Sequence, residues 1–156
     1  MPEATYLAPA KINLFLHITS KRADGYHNLQ TIFQLLNFSD EVTFSLRNDG
    51  EIKRIYGNET ISPDKDLILR SAHTLKKYSK TKAGVDIGVI KKIPSGGGLG
   101  GGSSNAATVL IALNDLWNLK LPKSELLDIG QTLGADVPVF VNGYSAWAEG
   151  KGDILT

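Results

Sequence analysis

The sequence contains no cysteine, which excludes disulfide bonds and thiolate metal sites. Its three histidines, His17, His27 and His73, are scattered and match no spacing typical of a metal site. The longest strongly apolar stretch, residues 109–113, is far too short to cross a bilayer. The N-terminus lacks the basic and then apolar pattern of a signal peptide. We therefore expect a cytoplasmic protein.

The sequence also lacks an excess of charge of either sign. Lys and Arg total 17, Asp and Glu total 16, and the formal net charge is +1. This balance does not indicate a general nucleic-acid or membrane surface. The lysines of residues 75–82 fall at the end of a predicted helix, where they complement the helix dipole. We expect neither a nucleic-acid nor a membrane partner.

Hydrophobic patterning over the 156 residues predicts one α+β domain with a substantial core. An early block is rich in strand patterns, and the later part is rich in helix patterns. The patterns predict helices at 67–79, from Ser103 or Ser104 onward, and from Pro122 to Gly134. They predict strands at 11–19, 28–38, 41–46, 84–93, 137–141 and near the end of the sequence.

The strand predicted at residues 11–19 alternates apolar and polar residues. Lys11 and Asn13 would lie on its polar face. The aliphatic residues would share the opposite face, which holds Ile12, Leu14, Leu16 and Ile18.

Glycine is concentrated in one stretch, where six of the seven residues from Gly96 to Gly102 are glycine. Fixing six glycines costs on the order of 3–6 kcal/mol relative to alanine. A flexible linker would have that composition, but this stretch joins a predicted strand directly to a predicted helix, and Leu99 interrupts it. The pattern favours a phosphate cradle, in which backbone N–H groups and the positive end of a helix face an anion.

Two common phosphate-binding patterns fit this stretch poorly. A P-loop needs a lysine before the final Ser or Thr, and none is there. Gly96, Gly98 and Gly101 match the dinucleotide pattern G-x-G-x-x-G, but a second helix pattern follows instead of a strand. A dinucleotide-binding oxidoreductase stays open as an alternative. Ser103 and Ser104 could cap the helix or contact a phosphate or its metal ion.

Four stretches together resemble the GHMP kinases, small-molecule kinases that hold ATP without a P-loop lysine. They are "APAKINLFLHI" at 8–18, "RADGYHNLQTIFQ" at 22–34, "PSGGGLGGGSSNA" at 94–106 and "LGADVPVFV" at 133–141. The resemblance implies a fold similar to ribosomal protein S5 domain 2, with helices packed on a mixed sheet. It also implies that residues 1–156 are an N-terminal ATP-binding domain and that the family's C-terminal half is absent.

The resemblance implies ATP and Mg²⁺ as cofactors and assigns Lys11 and Asp136 to catalysis. Asp136 would accept the proton of the acceptor hydroxyl, and Lys11 would stabilise the developing negative charge. The residues alone also allow a solvated lysine at a strand end and a turn carboxylate before Pro138. The implied nucleotide-binding residues are Pro94, Ser95, Gly96, Gly97, Gly98, Leu99, Gly100, Gly101, Gly102, Ser103 and Ser104.

For the acceptor, the resemblance implies a cytidine-diphosphate-capped methylerythritol. Tyr26 would stack on the cytosine, His27 would meet its pairing edge, and Asn13 would lie near the methylerythritol hydroxyls. Asp66 departs from the family, which commonly has an asparagine there near the adenine. The remaining alternatives are another small-molecule GHMP kinase and a non-catalytic, S5-like RNA-binding domain. No residue is assigned as a metal ligand.

Overall fold

A computed structural model describes residues 3–57 and 59–156. Its secondary structure is a mixed sheet with four helices on the described residues. The strands are β1 (Ala4–Lys21), β2 (His27–Arg47), β3 (Ile52–Tyr56), β4 (Gly84–Ile90), β5 (Ala146–Glu149) and β6 (Ile154–Leu155). The helices are α1 (Leu67–Ser79), α2 (Gly101–Leu116), α3 (Lys123–Leu133) and α4 (Val137–Asn142).

The long strand β2 organises the sheet. It pairs antiparallel with β1 along most of its length, with β4 through residues 41–47 and with β5 through residues 31–33. The pairing of β3 with β4 is parallel, so the sheet is mixed, as expected from the sequence. This arrangement brings the start of β1 and the exit of β4 to the same region of the fold.

Helix α2 lies at the centre of the core. It contacts the other three helices and also packs on β1 and β2. Its Val109, Leu110 and Leu113 are fully buried, as are Phe44 and Ile87 of the sheet. Each such side chain stabilises the fold by about 1.5–3 kcal/mol. Within residues 3–57 and 59–156, no helix is both long and apolar enough to cross a membrane.

Strand β2 is continuous where the sequence suggested two strands. The interval predicted as a break contains Ser39 and Asp40, a residue pair typical of turns. In the fold Ser39 pairs with Pro9 and Asp40 with Ala8, so the ladder runs through this interval. Asp40 is fully buried there, and its carboxylate receives hydrogen bonds from the segment after β4.

Residues 137–141 were predicted as a short buried strand, and this prediction is wrong. They form most of α4, with Pro138 in its first turn. Proline suits that position because its missing N–H would have no partner inside the helix. A five-residue apolar run cannot distinguish a buried strand from a buried helix by periodicity, and this run is buried throughout.

A β-bulge in β1 changes which side chains share a face. Asn13 lies opposite Phe33, and Leu16 lies opposite Thr31, so two residues of β1 face one residue of β2. Leu16 and Ile18 therefore lie on the same side of the sheet as Asn13. The prediction of a single aliphatic face was wrong at these two positions, where 48% and 62% of the residue surface is exposed.

Candidate active site

The glycine-rich loop connects β4 to α2 and is shaped by left-handed backbone conformations. Gly96, Gly98 and Gly100 have φ angles of 76°, 72° and 72°. Residues with a Cβ rarely adopt these angles, which explains the glycine at these three positions. The sequence therefore placed the loop correctly between a strand and a helix.

Helix α2 begins at Gly101, earlier than the predicted start at Ser103 or Ser104. Its N-cap is Gly100, and no side chain caps the first turn. Neither serine therefore has the capping role that the sequence allowed. Ser104 is fully buried, and its Oγ has no hydrogen-bond partner among the described residues.

A cavity of about 290 Å³ opens beside this loop at the N-terminus of α2. Free backbone N–H groups and the positive end of a helix dipole favour an anion there. Gly97 and Ser104 are absent from its lining, which the other predicted loop residues form together with Leu67, Lys91 and Ile93. The cavity therefore has the position expected of a phosphate cradle.

Strand β1 is joined to the loop through the backbone of Lys11. Its N–H donates to the carbonyl oxygen of Leu99 at 2.9 Å. A Cβ on Gly100 would lie 2.8 Å from a ring carbon of Phe140 and 3.2 Å from Cγ of Lys11. Glycine at this position therefore allows the loop, β1 and α4 to approach one another closely.

Lys11 is a buried lysine that faces a carboxylate, not a solvated strand-end lysine. It is 5% exposed, and its Nζ donates to Oδ1 of Asn13 at 2.6 Å. The same Nζ lies 3.8 Å from Oδ2 of Asp136 and 5.2 Å from the ring centroid of Phe33. Lysine is almost never buried unless it is paired, so Asp136 and Asn13 account for its position.

Asp136 lies where three parts of the fold meet. It follows Gly134, which ends α3, and it occupies the N-cap position of α4. A Cβ on Gly152, in the turn between β5 and β6, would lie 3.8 Å from its Oδ1. Its side chain is 39% exposed, so the carboxylate is open on one side while it faces Lys11 on the other.

Asn13 is oriented by Thr31, a residue that the sequence analysis did not identify. Asn13 Nδ2 donates to Thr31 Oγ1 at 2.8 Å, and that hydroxyl donates to the carbonyl oxygen of Phe15 at 2.5 Å. These bonds direct the Asn13 oxygen toward Lys11. A threonine in a strand is ordinary, so no signal in the sequence distinguished this one.

Tyr26 and His27 lie at the tip of the β1–β2 hairpin, where both are exposed. Asp24 shapes the turn, since its Oδ1 accepts from the N–H of Tyr26 at 3.1 Å. Lys151 Nζ lies 4.7 Å from the Tyr26 ring centroid, a contact that the sequence gave no means to foresee. Within residues 3–57 and 59–156, no hydrogen bond or ion pair joins Tyr26 or His27 to Lys11 or Asp136.

Asp66 lies beside a second cavity, of about 130 Å³, which shares Lys91 with the first. Its Oδ1 accepts from the N–H of Ile68 at 2.9 Å, so it is the N-cap of α1. Its Oδ2 lies 3.0 Å from a guanidinium nitrogen of Arg54. Within the fold, one carboxylate oxygen of Asp66 is therefore hydrogen bonded and the other is ion paired.

The described residues contain no group of three His, Cys, Asp or Glu side chains that could hold a metal ion. The larger cavity is lined by the hydroxyls of Ser95 and Ser103 and by no carboxylate. Mg²⁺ commonly takes few protein ligands and is bound largely through substrate phosphates and water. The residues present therefore fit a magnesium ion that is carried by a nucleotide.

The curated relatives to which this chain is similar include two that are each called 4-diphosphocytidyl-2-C-methyl-D-erythritol kinase. The relative from Ruthia magnifica subsp. Calyptogena magnifica is 59% identical over 98% of this chain and 54% of its own length. The relative from Vesicomyosocius okutanii subsp. Calyptogena okutanii (strain HA) is 56% identical over the same shares of the two chains. The chain thus spans about half the length of the curated relatives it matches.

A crystal structure of 4-(cytidine 5'-diphospho)-2C-methyl-D-erythritol kinase superposes on this fold with a TM-score of 0.80. It is 37% identical, and the match covers 98% of this chain and 54% of that one. Residues 66–144, which include the glycine-rich loop and Asp136, match the family model described as the GHMP kinases N terminal domain. The chain belongs to the GHMP kinase family.

Proposed function

We propose that this chain is the N-terminal, ATP-binding domain of a kinase for 4-diphosphocytidyl-2-C-methyl-D-erythritol. The enzyme would transfer the γ-phosphoryl group of ATP to the 2-hydroxyl of that acceptor, a step in non-mevalonate isoprenoid precursor synthesis in the cytoplasm. One observation carries the proposal. Buried Lys11 faces Asp136 at 3.8 Å, and its own backbone N–H holds the glycine-rich loop. The names of the similar proteins support the choice of acceptor.

The nucleotide would bind with its phosphates in the cavity beside the glycine-rich loop. The loop brings backbone N–H groups close to the phosphates, because glycine at residues 96, 98 and 100 adds no side chain. Helix α2 adds the positive end of its dipole, which favours anions within the first turn. Binding of this kind requires no P-loop lysine.

The transfer step would use Lys11 and Asp136 together. Asp136 would accept the proton of the acceptor hydroxyl while the hydroxyl oxygen attacks the γ-phosphorus and the bond to the β-phosphate oxygen breaks. Lys11 would stabilise the charge that develops on the attacking oxygen and the transferring group. General-base assistance contributes about 10²–10⁴-fold in rate. Positioning and electrostatics carry most of the remainder in phosphoryl transfer.

Mg²⁺ would accompany the triphosphate, with Ser95 or Ser103 available to hold it. The ion would neutralise phosphate charge when it is bound. Ser103 is close to the end of α3, because a Cβ on Gly134 would lie 3.9 Å from its hydroxyl oxygen. The protein's own part in metal binding would therefore be a serine hydroxyl, from Ser103 in the first turn of α2 or from Ser95 at the start of the loop.

The acceptor would extend from the catalytic pair toward the hairpin tip. Asn13 is hydrogen bonded to Lys11, so it is placed to contact the hydroxyls near the reacting oxygen. Leu16 and Ile18 continue the same side of β1 toward the hairpin tip, where Tyr26 and His27 lie. An aromatic ring that stacks on a base contributes about 1–3 kcal/mol, which would make Tyr26 the main contact to the cytosine.

The test is ADP release by the intact protein with Mg-ATP, with and without the cytidine-capped acceptor. We expect release that depends on the acceptor and on Mg²⁺. Release that depends on another small hydroxyl compound would retain the kinase and reject this acceptor. Binding of RNA with a steep salt dependence and no affinity for ATP would instead favour the RNA-binding alternative. Binding of a nicotinamide or flavin without Mg²⁺ would favour an oxidoreductase.

A further inference from the structure

Asp40 is a buried carboxylate that the proposed reaction does not use. It is fully buried in β2, and its hydrogen bonds among the described residues go to Lys91, Lys92, Ile93 and Asn105, and not to Lys11 or Asp136. Its two oxygens accept four hydrogen bonds. Burying a carboxylate is costly unless it is paired and hydrogen bonded. The groups that bond to Asp40 therefore indicate its role.

One oxygen of Asp40 holds the segment that enters the glycine-rich loop. Oδ1 accepts from the backbone N–H of Lys92 at 2.6 Å and from that of Ile93 at 2.8 Å. These two residues immediately precede Pro94, where the predicted nucleotide-binding stretch begins. The carboxylate therefore fixes the path by which the chain leaves β4 and enters the loop.

The other oxygen of Asp40 joins a closed ring of three side chains. Oδ2 accepts from Lys91 Nζ at 2.5 Å and from Asn105 Nδ2 at 3.0 Å, and Asn105 Oδ1 accepts from Lys91 Nζ at 2.9 Å. Asn105 belongs to α2, on the far side of the loop. One carboxylate thus connects both ends of the glycine-rich loop.

The ring holds the Lys91 ammonium beside the N-terminus of α2, a position that does not stabilise the helix. A Cβ on Gly101, the first residue of α2, would lie 3.2 Å from Lys91 Nζ. A cation at the N-terminus of a helix opposes the dipole, which is unfavourable for the helix. Lys91 also lines the cavity, and an ammonium has three donors, of which this ring uses two.

We propose that Asp40 is a positioning residue of the nucleotide site, which aims the Lys91 ammonium at the triphosphate and fixes both ends of the glycine-rich loop. Lys91 would then supply, from the position just after β4, the cation that a P-loop carries within its own motif. This inference rests on the proposed function, since it takes the cavity to be the ATP site. A stabilising role alone does not explain why the Lys91 ammonium lines the cavity while the ring uses only two of its three donors.

Equilibrium binding of ATP and of adenosine to the intact protein tests this inference. Lys91→Met should weaken ATP binding about tenfold or more and leave adenosine binding unchanged, because a hydrogen bond to a charged group is lost only for ATP. Lys92→Met is the matched control. Its exposed ammonium is paired with Glu41 on the surface, so ATP binding should stay as in the wild type.

Asp40→Asn tests the positioning role directly. The amide oxygen can still accept from the N–H groups of Lys92 and Ile93, but its NH₂ group would face two donors, on Lys91 and Asn105. ATP binding should weaken as in Lys91→Met, and the double variant should bind no more weakly than Lys91→Met alone. Independent, additive losses would overturn the positioning role.

The remaining outcomes separate this inference from the proposed function. Should Asp40→Asn fail to fold, wild-type ATP affinity in Lys91→Met would still overturn the inference, and a loss confined to ATP would support it. A wild-type protein that binds ATP but phosphorylates no cytidine-capped acceptor would refute the proposed acceptor and leave the Asp40 result intact. A wild type that binds no ATP would overturn both.

Discussion

The loop end and the hairpin end of the candidate site are built in different ways. At the loop end the backbone does most of the positioning, through glycines with left-handed φ angles and the bond from Lys11 N–H to Leu99. At the hairpin end Tyr26 is 54% exposed, and only its side chain would contact the acceptor. Substitutions of the left-handed glycines at the loop end should therefore disturb the fold and nucleotide binding together, whereas substitutions at the hairpin tip should change only acceptor recognition.

The largest effect, a loss of kcat, should come from substituting Lys11 or Asp136, which lie between the two ends. In the intact protein, Asp136→Asn and Lys11→Met should each reduce kcat at least about 100-fold, because proton acceptance or charge stabilisation is lost. Steady-state assays with both substrates saturating measure this. Asp64→Asn and Lys123→Met change exposed residues outside the site and serve as controls. Near-normal turnover in either catalytic variant would refute its assigned role.

A series of alanine substitutions should show how far the loop end depends on its backbone. Gly100→Ala adds a Cβ that clashes with Phe140 and also strains a φ of 72°, so the free energy of unfolding should fall by about 2–5 kcal/mol. Gly98→Ala carries the same strain in open space and should cost about 1–2 kcal/mol. Gly97→Ala has neither problem and should be neutral or stabilising by up to about 1 kcal/mol.

Urea unfolding of the three variants measures this order, and the KM for ATP should rise most for Gly100→Ala. Equal losses at Gly97 and Gly100 would mean that the loop does not hold the described conformation.

A substitution at the hairpin end should change only the KM for the acceptor. Tyr26→Ala should raise the KM for the cytidine-capped acceptor about tenfold, since stacking on a base is worth about 1–3 kcal/mol. The KM for ATP should not change. Tyr26→Phe retains the ring and is the matched control, expected to resemble the wild type. An unchanged acceptor KM in Tyr26→Ala would refute the stacking role.

The smallest effect should be a change in the stability of the fold at low pH, and it should arise at the loop end. Burial opposes ionisation of Asp40, but hydrogen bonds from Ile93, Lys91, Lys92 and Asn105 outweigh it and hold the pKa of this carboxyl below its ordinary value. A lowered folded-state pKa contributes stability that is present above the unfolded-state value of about 3.9 and is lost as pH falls through the folded value.

Removing the carboxyl should therefore flatten the pH dependence of stability below about pH 4. Urea unfolding of wild type and Asp40→Asn at pH 6 and pH 3 measures this, with a smaller acid loss expected in the variant. The same acid loss in both proteins would contradict the prediction.

The sequence predicted the parts of this fold that depend on local pattern. The position of the glycine-rich loop and the helix after it follow from glycine content and periodicity, and the structure confirms them. The meeting of Lys11 with Asp136 could not be predicted in this way, because the two lie at opposite ends of the described chain. Only the family resemblance joined them.

The errors of prediction occur where tertiary contacts override local pattern. The Ser39–Asp40 pair is typical of a turn, yet partners from α2 and from the segment after β4 hold Asp40 inside a strand. The bulge in β1 moved Leu16 to the side of Lys11 because one extra residue changes every later orientation. Residues 137–141 carry too short an apolar run to identify a helix.

The bond from Lys11 to Leu99 also has a consequence for how the chain folds. Residues distant in the chain must come together before this bond and the Lys11–Asp136 pair can form, and closing such long loops is slow. Lys11 is synthesised before Leu99 and Asp136, so these contacts cannot form until both partners have been synthesised. A nascent chain that already binds nucleotide would therefore have formed these long-range contacts. Its ATP affinity would report how far folding has progressed.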